Sequence, residues 1–271
     1  MKTGYSILSV VAVMGLLWGG SAEVKGQDAA TNKPEVKKKV DAQQRANAKT
    51  GRNAAAKKPV RKPNPAFEPP QVVDGLPNVL LIGDSISIGY MVAAREKLKG
   101  VANVWRPTTN CGPTTKGVES LDSWLGDRKW DVIHFNFGLH DLKYMGPNNE
   151  NLADPESASS HQQVPIDQYA ANLKKIAERL KKTGATVIWR ETTPVPKGAK
   201  GRVVGDSKRY NEAAAKVMEE VGGIQVDRMY DFAIKNVENL PANVHYSQEG
   251  SKKLAEQVAR SVKAAIESRA K

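Results

Sequence analysis

One cysteine, Cys111, stands in the 271 residues, so no disulfide can form within the chain and its stability must come from a packed core. The four histidines, at positions 134, 140, 161 and 245, fall in separate segments, and no Cys/His cluster has the spacing of metal ligands. No carboxylate pair stands out as a glycosidase acid and base, and Gly83-Asp84-Ser85 lacks the lysine a phosphate-binding loop requires. Neither a metal nor any other cofactor is therefore expected. Aromatics make up only 6% of the chain, and Phe67 is the sole one in its basic N-terminal stretch, which argues against nucleic acid as a partner.

The apolar run from Ile7 to Trp18 is shorter than the ~20 residues that cross a bilayer. With Lys2 before it and Gly19-Gly20-Ser21-Ala22 after it, residues 1–22 have the zones of a secretory signal cleaved near Ala22. The expected product is a secreted or periplasmic protein without a membrane span, and the lack of a cysteine near Ala22 argues against lipid modification. From 23 to 72 the periodicity disappears. Lysine, alanine, asparagine and proline dominate, and Lys37-Lys38-Lys39, Lys57-Lys58 and Arg61-Lys62 supply much of the net charge of +12. This reads as a disordered basic linker, a solvated spacer or a contact for an anionic envelope or polysaccharide.

The remainder, 73–271, has the pattern of one folded domain with 40% hydrophobic residues in the chain to build a core. Apolar strand patterns recur at Val79–Ile82, Val101–Trp105, Val132–Phe137, Ala185–Trp189 and Gly223–Val226. Helical patterns fall between and after them, near Gly89–Leu98, Gly117–Leu125, Ile166–Lys182, Asp206–Val221 and Ser251–Ala270. Alternation of this kind predicts right-handed crossovers and an α/β, three-layer α/β/α sandwich around a flavodoxin-like parallel sheet of about five strands. Within the third helical pattern, Ile166, Tyr169, Leu173, Ile176 and Leu180 form a core stripe. The segment from Lys143 to Val164 reads as a long loop over the sheet's C-terminal edge, and Trp189 at that edge is either a stacking platform for a sugar ring or core.

Two sites carry chemistry. The first strand runs into Gly83-Asp84-Ser85-Ile86-Ser87, which leaves Ser85 at the C-terminal edge of the sheet, where ligands of open α/β sheets bind and a following helix offers free N–H groups. Near the other end, His245 lies in a loop before the last helix, and an imidazole beside a serine hydroxyl is what turns it into a nucleophile.

Together with Asn110-Cys111-Gly112-Pro113-Thr114-Thr115 and Gly138-Leu139-His140-Asp141, these segments resemble the four sequence blocks of the SGNH (GDSL-type) hydrolase family over roughly residues 76–268. The resemblance implies that Ser85 is a nucleophile and His245 its base. It also implies an oxyanion hole formed by the N–H groups of Ser85 and Gly112, with His140 where family members carry asparagine. Asp84, Asp141 and Asn243 are further candidates for orienting or substrate contacts. Position 242, where the family has the aspartate that orients the histidine, is Ala242. Two substitutes are at hand: a backbone carbonyl near Ala242, which would leave a Ser-His dyad, or the side chain of Asn243.

The family's secreted members imply a carbohydrate O-acetyl ester as substrate, small or polymeric. A lipolytic, lysophospholipase-like activity is the alternative within enzymes. The missing aspartate supports a third reading, a catalytically degenerate protein that binds carbohydrate or the cell envelope.

Overall fold

A computed structural model describes residues 63–269 of the chain. The expected signal segment and most of the basic linker lie outside the described residues. Five parallel strands, β1 (Asn78–Ile82), β2 (Asn103–Trp105), β3 (Val132–Phe135), β6 (Thr186–Arg190) and β7 (Gln225–Asp227), form the central sheet in the order β2-β1-β3-β6-β7. A two-stranded antiparallel hairpin, β4 (Tyr144–Met145) with β5 (His161–Gln162), stands apart from it. The described residues hold six α-helices, in chain order α1 (Ser85–Lys97), α2 (Thr114–Leu125), α3 (Ile166–Lys181), α4 (Asp206–Val221), α5 (Met229–Asn236) and α6 (Gln248–Arg269). Helices α1 and α6 pack on each other over one face of the sheet, while α3 packs between α2 and α4 over the other.

This is the predicted three-layer α/β architecture. Because both faces of the sheet are covered, a central strand has no wet side, and Val79, Leu80, Leu81 and Ile82 are all fully buried, as are all four residues of β3. Four of the five stripe residues on α3 pack as expected, Tyr169, Leu173, Ile176 and Leu180 being buried with Asn172 and Ala177 joining them, while Ile166 at the helix start is only half-buried.

Several boundaries differ from the sequence reading, for local reasons. Helix α1 begins at Ser85 rather than near Gly89, because Asp84 is its N-cap and accepts the N–H of Ile86 at 3.0 Å. The domain starts before residue 73. Asn64 caps a 3₁₀ turn at Pro65–Phe67, Ala66 is buried, Arg95 donates to the Pro65 carbonyl at 3.0 Å, and the Arg106 guanidinium lies 5.2 Å from the Phe67 ring centre. Residues 64–68 thus belong to the folded unit and not to the linker. The 143–164 segment holds the β4–β5 hairpin, and α5 is a helix the sequence pattern does not announce. Trp189 is core, 1% exposed, and is no stacking platform. Among the described residues, no helix is long and apolar enough to cross a membrane.

Candidate active site

Ser85 is delivered to the sheet edge by a turn that only glycine fits at its apex. A Cβ on Gly83 would stand 2.9 Å from the Ser87 Cβ, inside the closest approach of real side chains. Ser87 in turn donates to the Asp84 carbonyl at 2.7 Å, and the buried Arg106 donates to Ser87 Oγ at 3.2 Å and to the Thr109 carbonyl at 3.1 Å. The turn between β1 and α1 is therefore held from behind by a buried guanidinium. Ser85 itself occupies the first position of α1, where its N–H has no intrahelical acceptor and the helix dipole is positive.

His245 reaches this point from the loop before α6. Its Nε2 lies 2.9 Å from Ser85 Oγ, and its Nδ1 lies 2.9 Å from Asn243 Oδ1. The same Oδ1 accepts the backbone N–H of His245 at 3.0 Å, which fixes it as the amide's oxygen end. An oxygen can only accept, so Nδ1 carries the ring proton and Nε2 offers its lone pair to the serine hydroxyl. Of the two substitutes open in the sequence, the structure selects the Asn243 side chain, and the constellation is Ser-His-Asn rather than an unaided dyad. Ala242 lines the same cleft, at a left-handed φ of 51°.

The cleft of about 400 Å³ that Ser85 and His245 share is also lined by Asn110, His140 and Leu152. His140 is placed by Gly138, whose φ of 150° and whose neighbour Thr192, with Oγ1 2.2 Å from where a Cβ would be, admit no other residue. Burial lowers the His140 pKa, and the positive charges of Lys143 and Arg202 push it the same way against the opposing Asp84, which favours the neutral ring with one N–H to give.

Three predicted site residues sit differently from the expectation. The Gly112 N–H does not face the cleft unengaged, because it donates to Asn110 Oδ1 at 3.0 Å. Asp141 is fully buried and accepts the N–H of Thr114 at 2.8 Å and its hydroxyl as well, tying the start of α2 to the loop after β3; it contacts no cleft residue by hydrogen bond. Asp84 is likewise buried, as the cap of α1. Cys111 packs as expected, its thiol pushed up to about 11 chiefly by burial. Among the described residues no group of histidine, cysteine and carboxylate side chains is arranged to hold a metal ion.

Burial pushes the Asp141 carboxyl up to about 7 from 3.8. Between those values the folded state holds a proton that the unfolded chain has released, so stability falls as pH rises from about 4 to about 7 and is flat above. Urea unfolding midpoints of the wild type should drop over that window relative to those of Asp141→Asn, which has no proton to lose; parallel curves would place the ionisation elsewhere.

A serine, an imidazole and an amide in hydrogen-bonded series at the C-terminal edge of a parallel sheet define a serine-hydrolase type of site on an α/β/α fold. The sequence profile of the GDSL-like lipase/acylhydrolase family matches residues 81–253, and the chain belongs to that family. No curated protein gives a significant sequence match. Similar solved structures include an acetylxylan esterase of Geobacillus stearothermophilus, 16% identical with a TM-score of 0.54 over 69% of this chain and 94% of that one. Also similar are a lipase/acylhydrolase of Enterococcus faecalis, at 15% and 0.53 over 70% and 96%, and the acetylxylan esterase AlAXEase, at 15% and 0.54 over 68% and 99%. At these identities the likeness is one of fold.

Sequence reasoning missed three groups at this site. Arg106 carries no local signal, since its role depends on where the chain returns, whereas Asn110 accepts the N–H of Gly112 two residues on, a local turn that the sequence reading did not pick out. Lys143, Lys200 and Arg202 line the cleft and sit in loops after β3 and β6, so their position at the C-terminal edge of the sheet was the clue available.

Proposed function

We propose that this protein is an exported serine esterase that removes acetyl or similarly short acyl groups from a carbohydrate, through an acyl-enzyme on Ser85. The observation that carries the reading is the 2.9 Å contact between Ser85 Oγ and an imidazole nitrogen whose other nitrogen is held by Asn243. His245 Nε2 takes the hydroxyl proton as Oγ attacks the ester carbonyl. The oxyanion forms against the Ser85 N–H at the start of α1, with His140 as a neutral donor; the Gly112 N–H joins when Asn110 turns away. Collapse breaks the bond to the alcohol oxygen, which leaves with the proton from Nε2. Water then repeats the sequence on the acyl-enzyme, releasing the acid and restoring Ser85.

Short acyl groups are supported by the lining of the cleft. Among the described residues its apolar lining is limited to Leu152, Ala199, Ala242 and Val244, outnumbered by its polar and charged residues. Carbohydrate is supported by the acetylxylan esterases among the structures of the same fold. Export rests on the signal-like residues 1–22, and the basic linker supports contact with an anionic envelope or polysaccharide.

A series of 4-nitrophenyl esters from acetate to octanoate tests the reading. Acetate should give the highest kcat/KM, with acetate also released from an acetylated xylo-oligosaccharide. Rates that climb with chain length would favour the lipolytic alternative, and saturable glycan retention without any turnover would favour the binding-protein one.

A further inference from the structure

Among the described residues the cleft beside Ser85 is lined by three cationic side chains, Lys143, Lys200 and Arg202, and by no carboxylate. Two of them are not ordinary surface charges. Lys143 is 9% exposed and its ammonium donates to Asn151 Oδ1 at 2.7 Å; Arg202 is half-buried and spends its Nε on the Leu139 carbonyl at 3.1 Å. Neither forms an ion pair with any described residue, and the terminal nitrogens of Arg202 make no hydrogen bond to the described protein.

The two charges also act on each other. Lys143 has its pKa lowered first by burial and next by the charge of Arg202, with Asp141 opposing; Arg202 is lowered by burial, with Asp84 opposing. Neither carboxylate is placed as a counter-ion. Asp84 Oδ1 caps α1 and Asp141 Oδ1 is bonded to Thr114, and both side chains belong to the buried interior rather than to the cleft lining. Half-buried cations of like sign without a paired acid are costly to hold together, and the cost is offset when an anion enters between them. A guanidinium with its terminal nitrogens uncommitted matches the two oxygens of a carboxylate or sulfate, while a lysine adds a point charge.

We infer that Arg202 and Lys143 form an anion subsite of this cleft, and that the ester turned over at Ser85 is carried by a molecule bearing a carboxylate or sulfate group. The inference rests on the esterase reading for the identity of the reacting bond, but the subsite itself does not depend on turnover. Lys200, exposed at the rim of the same cleft, adds to the attraction of the anion from solution.

The test compares 4-acetoxybenzoate and 4-acetoxybenzenesulfonate with the uncharged methyl 4-acetoxybenzoate, so that carboxylate and sulfonate, the latter standing in for sulfate, are read separately. 4-Nitrophenyl hydrogen glutarate against 4-nitrophenyl valerate places the charge on the acyl side instead. At 20 mM salt, at least one charged ester should exceed its neutral partner in kcat/KM by about tenfold or more, and the ratio should shrink as salt is raised to 0.5 M. Arg202→Gln and Lys143→Gln should each bring that ratio several-fold closer to one, whereas Lys263→Gln, an exposed charge on α6, should leave it as in the wild type.

Calorimetric titration of Ser85→Ala with 4-acetoxybenzoate and 4-acetoxybenzenesulfonate separates the two ideas. Binding that is lost in Ser85→Ala/Arg202→Gln, without turnover of any ester by the wild type, would uphold the subsite and overturn the esterase reading. Turnover of neutral esters with charged-to-neutral ratios at or below one would overturn the subsite and keep the esterase. Neither turnover nor binding of either anion would remove both.

Discussion

Ser85→Ala is expected to lower kcat/KM for 4-nitrophenyl acetate by roughly 10³- to 10⁶-fold, and His245→Ala by a comparable factor. Among the described residues the Ser85 hydroxyl is the only one hydrogen-bonded to His245 Nε2, and without it no acyl-enzyme can form. Without the imidazole the hydroxyl remains but keeps its proton, and an alcohol at neutral pH is a poor nucleophile. Because the two act as one unit, the double variant should be little worse than either single one, and the residual rate in all three should reflect what the Ser85 and His140 donors give to direct attack by water. A fluorophosphonate should label the wild type and leave Ser85→Ala unlabelled. Labelling that persists in Ser85→Ala, or full additivity in the double variant, would mean that the Ser85–His245 pair is not the reacting unit.

The parts of this molecule that were legible in the sequence are those whose cause is local. Four consecutive apolar residues ending in Gly83 identify a strand buried on both faces, and the spacing of Tyr169, Leu173, Ile176 and Leu180 identifies a helix packed on one, because period and burial are written along the chain. Ser85 and His245 were legible as a pair because their segments resemble two of the blocks of the GDSL-type family, each at an element boundary where a strand or loop meets a helix. What was illegible depends on chain segments that meet in space. Arg106 braces the turn that carries Ser85 from a loop after β2, across 19 positions to Ser87. The paired cations of the cleft come from loops after different strands, Lys143 after β3 and Arg202 after β6, and nothing in either segment announces the other.

The fourth block shows where a sequence position and a physical role part company. Position 242 is alanine, which reads as a missing acid, yet the role of that acid is to accept the Nδ1 proton and hold the ring toward the serine. Asn243 does this from the next position, and it simultaneously accepts the His245 backbone N–H, so that ring and backbone are positioned by one oxygen.

Asn243→Ala should therefore cost about 10²-fold in kcat with a much smaller change in KM, since it frees the ring to rotate and to protonate on the wrong nitrogen while leaving the cleft in place. Asn243→Asp keeps both acceptors and adds a charge. The carboxylate stabilises the imidazolium that forms as Oγ attacks, so kcat at its plateau should equal or exceed that of the wild type. The same charge favours the protonated ring in the free enzyme, which cannot act as a base. The acid limb of the kcat/KM profile should then move to higher pH in Asn243→Asp relative to the wild type. An Asn243→Ala variant within threefold of the wild type would mean that a backbone carbonyl holds Nδ1 during turnover. A profile for Asn243→Asp that coincides with the wild type's would mean that the group at 243 does not reach the base.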